Sequence, residues 1–223
     1  MKATHYGFGI VEYENVADID SDYLEGWLER RRLQEPNDYT LQSDGTYMNR
    51  GGYVFTEDQV NASPGRLLRL KVNCSDEDLA FAEKLENVTA LCISEYFNIF
   101  PEAQRSVWWR ADPHVATYKP GGYMGYHHDN LVGAGSESEK AIYSVLTASI
   151  ILKDQCSGGD LGFKYIDKHF APKAGTAFVY PAGFLGTHEV CPVTSGERIS
   201  YLEFFGHGTL MGANPFTPPR TES

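Results

Sequence analysis

The sequence predicts an α+β protein with a mostly β core, either a sandwich or a barrel, supported by N-terminal helices. Its 223 residues suit one large domain. A hydrophobic content of 42% and a charged content of 22% are typical of a globular protein and argue against disorder. From residue 106 onward, short runs rich in β-branched and aromatic residues alternate with Gly, Pro and Asp turns at intervals of roughly ten residues. We therefore expect one domain over 1–223, with 1–105 as helical and loop support and 106–210 as the β core.

The N-terminal half is expected to be mixed. Loose alternation over residues 6–13 predicts a strand. Residues 18–33 predict a helix, because their apolar side chains fall at helical spacing and Asp20 or Ser21 can cap the start. Residues 34–65 are rich in Asn, Asp, Gly, Ser and Pro and predict a long loop with at most one short hairpin. Loops of this length are usually functional, so residues 37–63 are a candidate lid that includes Tyr47, Asn49, Arg50 and Tyr53.

A second helix is predicted between Ser75 and Pro101. Ser75 and Asp78 form a capping-box start, with aspartate in place of the more usual glutamate. The apolar face of this helix is Leu79, Ala82, Leu85, Val88, Cys92 and Tyr96. The strands predicted for the β core are 107–110, 114–119, 144–153, 162–166, 177–181, 188–191 and 198–206.

Composition excludes several classes of partner. The net charge of −11 makes the chain a poor partner for nucleic acid or anionic membranes. No apolar stretch approaches the roughly 18 residues that span a bilayer, and residues 1–15 lack the basic-then-apolar pattern of a secretory signal. We therefore expect a cytoplasmic protein whose oligomeric state stays open. Its four cysteines, which form no C-x-x-C pair, are expected to be reduced: Cys74, Cys92, Cys156 and Cys191.

The residues best suited to chemistry begin with His127-x-Asp129. Residues two apart on an extended chain project to the same face, so this imidazole and carboxylate point together. His188 follows 59 residues after Asp129, at the start of a predicted hairpin that turns through residues 193–196. Two histidines and one carboxylate suit the facial triad of non-haem Fe(II) oxygenases, which leaves the opposite face of the metal open.

Arg198 follows His188 by ten residues, on the predicted return strand. A permanently charged, bidentate donor near a metal is suited to gripping a remote carboxylate. Ser200 lies on the same face and can add a hydroxyl donor. With Leu202 and Phe204 these side chains are expected to form one inward row.

Taken together, these motifs resemble the 2-oxoglutarate/Fe(II)-dependent oxygenase superfamily, and specifically its prolyl 4-hydroxylase-type branch, over about residues 110–206. The matching residues share the family's order and spacing. They are Tyr118-Lys119-Pro120-Gly121, His127-x-Asp129, Gly158-Gly159-Asp160-Leu161, His188, Pro192-Val193-x-x-Gly196 and Gly196-x-Arg198-x-Ser200.

The resemblance implies a double-stranded β-helix, or jelly roll. It implies Fe(II) bound by His127, Asp129 and His188, with the far carboxylate of 2-oxoglutarate held by Arg198 and assisted by Ser200 and Tyr118. O₂ would be the second co-substrate, ascorbate an optional reductant, and succinate and CO₂ the by-products of hydroxylating an unactivated C–H bond.

The substrate implied is amino-acid-like: a prolyl residue in a peptide, or a free amino acid or its derivative. Arg198 departs from the pattern of collagen-type prolyl 4-hydroxylases, which generally have lysine at this position. The departure weakens the expectation of a prolyl substrate. Asp129 favours hydroxylation over halogenation, because related halogenases carry a small residue at that position.

Candidate substrate residues are Trp108, Trp109, Arg110, Tyr123 and Tyr126. An aromatic pair beside a cation can hold a carboxylate or stack on a proline ring; a buried tryptophan pair with a salt-bridged arginine is the structural alternative. Two alternative functions stay open: a cupin-like metal-dependent isomerase, lyase or hydrolase, and a non-catalytic jelly-roll binding module. A nucleic-acid demethylase is disfavoured by the charge.

Overall fold

The computed structural model describes residues 1–34, 39–49, 54–56, 65–71, 74–130 and 143–207. Two α-helices lie in the N-terminal half, α1 (Ser21–Gln34) and α2 (Asp76–Ile99), and short 3₁₀ helices span Pro101–Ser106 and Phe184–Gly186. Asp20 caps α1, because its Oδ1 accepts a hydrogen bond from the backbone N–H of Tyr23 at 3.0 Å. Both predicted helices are confirmed.

The described residues also contain seventeen strands. In chain order they are β1 (Lys2–Gly7), β2 (Ile10–Glu14), β3 (Tyr39–Leu41), β4 (Tyr47–Asn49), β5 (Val54–Phe55), β6 (Gly65–Arg69), β7 (Trp109–Arg110), β8 (His114–Tyr118), β9 (Met124–His127), β10 (Tyr143–Lys153), β11 (Cys156–Gly158), β12 (Leu161–Phe163), β13 (Lys168–Phe170), β14 (Ala177–Pro181), β15 (His188–Val190), β16 (Val193–Gly196) and β17 (Arg198–His207).

The strands form two main antiparallel sheets. The major sheet has the order β1-β2-β14-β10-β17-β8-β6, with β7 also paired to β17, and the minor sheet has the order β13-β12-β15-β9. Two small sheets, β11-β16 and β3-β4-β5, complete the described fold. This is the predicted α+β jelly roll with supporting N-terminal helices.

The helices pack on one face of the major sheet and form the larger hydrophobic core there. Trp27 of α1, Leu85 of α2 and Tyr201 of β17 are all fully buried in this core. On the opposite face of the sheet, Phe178 and Tyr180 pack in a second cluster with residues that include Phe163 of the minor sheet. The major sheet is therefore covered on one face by helices and on the other by the minor sheet.

A capping box starts α2 as predicted. The Ser75 Oγ accepts from the backbone N–H of Asp78 at 3.1 Å, and the Asp78 carboxylate accepts from the backbone N–H of Ser75. Asp78 also receives hydrogen bonds from Tyr23 and Arg30, which tie α1 to the start of α2. A short aspartate can therefore replace glutamate in this box because helix α1 supplies it with further donors.

Three local predictions were wrong. Residues 6–13 are not one strand, because Phe8 (φ 48°) and Gly9 (φ 76°) turn the chain between β1 and β2. Residues 193–196 are not a turn but strand β16, which pairs with β11. As a result β15 and β17 are not a hairpin: β15 lies in the minor sheet and β17 in the major sheet.

The N-terminal half also contributes more strands than expected. β1, β2 and β6 all belong to the major sheet. The described part of the expected long loop contains β3, β4 and β5, which form a three-stranded meander. Tyr47 and Asn49 of the candidate lid lie in β4, whereas Arg50 and Tyr53 lie outside the described residues.

Two further expectations concern the chain's surroundings. The four cysteines carry no disulfide. Within the part of the chain that the structure describes, neither helix combines the length and the apolar character needed to cross a membrane.

Candidate metal centre

Strands β9 and β15 bring the predicted triad together. The two strands are neighbours in the minor sheet, and His127 is the direct partner of His188. Asp129 follows two residues after His127, just past the end of β9. The register of one strand pair therefore joins two histidines that are 61 positions apart in the sequence.

The donor atoms of the triad have the spacing of metal ligands. The Nε2 of His127 lies 3.4 Å from the Oδ1 of Asp129, and the Nε2 of His188 lies 3.9 Å from its Oδ2. All three ligand atoms lie within 4.8 Å of one another. Donors bound to one ion at about 2.1 Å are roughly 3–3.5 Å apart, so small side-chain adjustments would let them share it. The set of two nitrogens and one oxygen fits Fe(II).

Backbone carbonyls orient both imidazoles. The Nδ1 of His127 lies 2.9 Å from the carbonyl oxygen of Gly125, and the Nδ1 of His188 lies 3.0 Å from that of Gly186. A proton on each Nδ1 satisfies these carbonyls and leaves the Nε2 lone pair free for a metal. Both carbonyls thus select the tautomer that a metal ligand requires.

The carboxylate of Asp129 is also held in place. Thr147 of β10 donates a hydrogen bond of 2.6 Å to its Oδ2. Burial opposes ionisation of Asp129, but the hydrogen bonds from His127 and Thr147 and the neighbouring His188 leave its pKa below the ordinary value. Burial lowers the pKa of His188, which favours the neutral imidazole that binds a metal.

Tyr180 completes the inner wall and was not anticipated. It is fully buried on β14, opposite Thr147, and its hydroxyl lies 3.3 Å from the Nε2 of His188. Burial raises its pKa well above the ordinary value, so the phenol stays protonated as a donor. Strand 177–181 was predicted correctly, and its alternation places Tyr180 and Phe178 on one face; no sequence signal shows that this face meets His188.

Arg198 is a buried cation with an incomplete set of partners. Only 2% of it is exposed, and its Nη1 donates a 2.8 Å hydrogen bond to the Oγ of Ser200. Its guanidinium carbon lies 5.7 Å from the ring centre of Tyr118. The Nε has no hydrogen-bond partner, and Arg198 forms no ion pair with any described residue. A buried charge without a counter-ion is costly, so this pocket fits an anion such as the far carboxylate of 2-oxoglutarate.

Gly159 makes room for this arginine. It has a φ of +75°, and a Cβ placed there would lie 3.0 Å from the Cδ of Arg198. A side chain at this position would therefore be strained in its backbone and crowd the guanidinium arm. The Gly158-Gly159 motif thus serves the close approach to Arg198 as well as the turn.

The candidate substrate residues are not gathered around the triad. Arg110 forms an ion pair with Glu203, whose side chain is on the helix-facing side of β17, opposite to Arg198. Trp109 is half-buried beside it in β7, and Trp108 is 43% exposed next to His207. Tyr123 and Tyr126 are both exposed, and the neighbouring Glu189 raises the pKa of the Tyr126 phenol. The substrate roles of these five residues stay predictions.

His114 is a further residue to which the sequence analysis gave no role. It pairs with Leu202 across β8 and β17, and its ring lies 5.5 Å from that of Phe204. Burial lowers its pKa to about 4, although the charge of Asp129 acts in the opposite direction. A neutral imidazole therefore lies on the same face of β8 as Tyr118, within the electrostatic reach of the triad.

Comparison with known proteins agrees with this site. Residues 113–206 match the 2OG-Fe(II) oxygenase superfamily. A PKHD-type hydroxylase of Pseudomonas putida strain W619 is 33% identical over 103 residues, which are 44% of this chain and 44% of that protein. The chain thus spans less than half the length of the curated relatives it matches.

Two solved structures share the fold. The viral collagen prolyl hydroxylase of Paramecium bursaria Chlorella virus-1 has a TM-score of 0.55 at 15% identity, covering 90% of this chain and 96% of its own. A Trichoplax adhaerens prolyl hydroxylase, solved with a hypoxia inducible factor oxygen degradation domain peptide fragment, has a TM-score of 0.61 at 14% identity and covers 89% and 84%.

The match of residues 113–206 to the 2OG-Fe(II) oxygenase superfamily, with similar proteins that are PKHD-type hydroxylases, agrees with the resemblance that the motifs indicated. Enzymes of this superfamily use Fe(II), 2-oxoglutarate and O₂.

Proposed function

We propose that the protein is an Fe(II)- and 2-oxoglutarate-dependent hydroxylase. One observation carries the proposal: three metal-ligand atoms lie within 4.8 Å of one another, and the same barrel holds a buried guanidinium without a counter-ion. A metal-dependent isomerase or lyase would use the triad but would leave Arg198 and Ser200 without a purpose. The keto acid explains both features.

In this proposal each inner residue has a defined task. His127, Asp129 and His188 hold Fe(II), while Arg198 holds the far carboxylate of 2-oxoglutarate. Two residues complete that pocket. The Ser200 hydroxyl lies 2.8 Å from the guanidinium, and Tyr118 is the strand partner of Arg198. Iron and 2-oxoglutarate, when bound, supply the oxidising chemistry that puts one oxygen atom of O₂ into a C–H bond and the other into succinate, with release of CO₂.

The remaining inner residues orient the metal ligands and exclude water from the site. The carbonyls of Gly125 and Gly186 hold the imidazoles, and Thr147 holds the Asp129 carboxylate. Buried aromatic side chains on β12 and β14 pack against His188: the ring of Phe163 lies 6.0 Å and that of Tyr180 lies 4.8 Å from it. An apolar wall on this side excludes water from the reacting centre.

We infer that the substrate is a prolyl residue in a peptide. The support comes from similar proteins, which are PKHD-type hydroxylases by sequence and prolyl hydroxylases by fold, one of them solved with a peptide fragment. Aromatic side chains on the loops that flank the triad, Tyr123 and Phe184, are each 65% exposed and could contact such a chain. A hydrogen bond of 2.8 Å from Asn130 N–H to the Ala182 carbonyl joins the segment after Asp129 to the loop that carries Phe184. A free amino acid or its derivative is the alternative outcome.

The metal assignment is tested with two neighbouring histidines. Protein purified without oxygen is reconstituted with Fe(II), and bound iron and 2-oxoglutarate-dependent succinate formation are measured. We expect His127→Ala to lose both, and His128→Ala, whose ring alternates to the other side of the chain, to keep the iron. Equal iron binding and turnover in wild type and His127→Ala would contradict the proposal.

The substrate assignment is tested by mass spectrometry. Proline-bearing peptides and free amino acids are incubated with the reconstituted protein, and the gain of one oxygen atom is measured. Oxygen on a free amino acid, and on no peptide, would move the substrate to the alternative class and leave the reaction class intact. Turnover that persists without O₂ and 2-oxoglutarate would instead favour a cupin-like isomerase or lyase.

A further inference from the structure

The outer face of the minor sheet carries a second group of metal-binding side chains, separate from the triad. Neighbouring residues on a strand point to opposite faces, so Glu189 faces outward where His188 faces the barrel interior. His169 of β13 and Cys191, directly after β15, lie on the same outer side. A histidine nitrogen, a carboxylate oxygen and a thiol sulfur from His169, Glu189 and Cys191 lie within 4.8 Å of one another.

A glycine lets the two strands present these donors together. Gly162 of β12 pairs with His169 on one side and with Glu189 on the other. A Cβ on Gly162 would lie 2.6 Å from the Nε2 of His169 and 3.1 Å from the Cγ of Glu189. Both side chains therefore lean over the glycine, and the His169 Nε2 comes to 3.2 Å from the Glu189 Oε1. This spacing is close to the 3.4 Å between His127 and Asp129 in the triad.

The surroundings of the cluster favour a cation. Tyr126 also lies close to Glu189, but a carboxylate has enough lone pairs to keep a metal-facing oxygen. The backbone N–H of Cys191 donates to the Asp160 carbonyl at 2.9 Å, which fixes the main chain that carries the thiol. The negative charges of Glu189 and Asp160 act on the Cys191 thiol, so this part of the surface attracts a cation.

We propose that His169, Glu189 and Cys191 form a second divalent-metal site, suited to Zn(II). Zinc accepts nitrogen, oxygen and sulfur ligands in a tetrahedral shell, whereas a thiolate disfavours Mg²⁺ and Ca²⁺. Three protein ligands leave the fourth position for water. Such an ion would cross-link β13 to β15 over β12 and so brace the strand that carries His188. The site stands on its own residues and holds whether or not the proposed hydroxylase activity does.

Cobalt(II) distinguishes the two sites, because a thiolate-bound cobalt has a near-ultraviolet charge-transfer band and the triad contains no sulfur. Metal-free, reduced protein is titrated with Co(II), and the band and the number of bound ions are recorded. We expect wild type and His127→Ala to show the band. Cys191→Ser should lose it and bind the outer ion at least about tenfold more weakly. Cys156→Ser removes a thiol outside the cluster and should match wild type.

A second pair of variants tests the geometry without removing a ligand. Gly162→Ala places a methyl group against His169 and should weaken the band, whereas Gly183→Ala points into open space and should not. The proposal is overturned if wild type shows no thiolate band, if the band survives in Cys191→Ser, or if Cys156→Ser abolishes it. Competition of Zn(II) for the same band supports the assignment of the ion, and failure of Zn(II) to displace Co(II) refutes it.

Discussion

Strand β17 carries two buried charged residues, Arg198 and Glu203, on its opposite faces. Arg198 faces the barrel interior, and Glu203 faces the helices; 2% of the former and 0% of the latter are exposed. Their partners differ sharply. Glu203 accepts from Thr89 at 2.6 Å and from Tyr201 at 2.7 Å, and it is paired with Arg110.

Arg198, by contrast, has one hydrogen bond to a hydroxyl and no counter-ion among the described residues. A buried charge whose partners are all supplied by the chain is part of the fold. A buried charge that lacks such partners destabilises the folded state, and a bound ligand of opposite charge can offset this loss. The lack of a counter-ion, rather than burial, therefore marks the functional face of the strand.

The largest expected effect is on stability, at the Glu203 face. Glu203→Ala removes the buried carboxylate that pairs with Arg110 and accepts from Thr89 and Tyr201, so we expect a loss of roughly 3–5 kcal/mol in the free energy of unfolding. Urea denaturation measures it. Glu203→Gln, which keeps an acceptor, should lose less. A loss below about 1 kcal/mol, within the range of exposed ion pairs, would show that this network does not stabilise the fold.

The next effect is on binding, at the Arg198 face. Arg198→Met removes the charge that would pair with 2-oxoglutarate, so we expect weaker binding by about 3 kcal/mol, or roughly 100-fold. Stability without 2-oxoglutarate should not fall, because an unpaired buried charge is removed. Arg198→Lys keeps a charge and should retain part of the affinity. Anaerobic titration with 2-oxoglutarate measures the affinity of each variant. Unchanged affinity in Arg198→Met would refute the assignment of the pocket.

Much of this arrangement could be predicted from short-range sequence patterns. The capping box at Ser75 and the apolar periodicity behind it predict α2, and the structure confirms both. Spacing along an extended chain predicts that His127 and Asp129 point together, and β9 with β15 brings His188 to them. These predictions succeed because each depends on a local rule or on a motif with fixed spacing.

What depends on pairing between distant segments could not be predicted. The ion pair of Arg110 with Glu203 joins residues 93 positions apart, so the sequence alone left Arg110 open as a substrate residue. The hairpin expected after His188 fails because residues 193–196 pair with β11 rather than turning. Tyr180 is placed against His188 by the packing of two sheets, which no local pattern encodes.

Two threonines offer a matched test of the two faces. Thr147 and Thr89 each donate a 2.6 Å hydrogen bond to a buried carboxylate. Thr147 bonds Asp129 in the barrel interior, and Thr89 bonds Glu203 on the helix-facing side of the major sheet. Thr147→Val should lower Fe(II) affinity about tenfold, because groups that orient a metal ligand typically contribute this much. Thr89→Val should leave iron binding unchanged and cost about 1–2 kcal/mol of stability. Iron titration and urea denaturation of both variants give the comparison; equal losses of iron affinity would erase the distinction between the faces.

The smallest expected effect is the pH dependence of the stability that Glu203 contributes on the helix-facing side of β17. Burial raises the pKa of Glu203 above its ordinary value, while Arg110, Thr89 and Tyr201 act in the opposite direction without reversing the shift. A carboxyl group with a raised pKa in the folded state binds its proton more tightly there than in the unfolded chain. Its contribution to stability is therefore fully present below the unfolded pKa and is lost as pH rises through the folded one. We expect the stability advantage of wild type over Glu203→Gln to shrink as pH increases from about 4 toward neutrality. Urea denaturation of both proteins across this range measures the difference, and an advantage that grows with pH would mean that Arg110 outweighs burial.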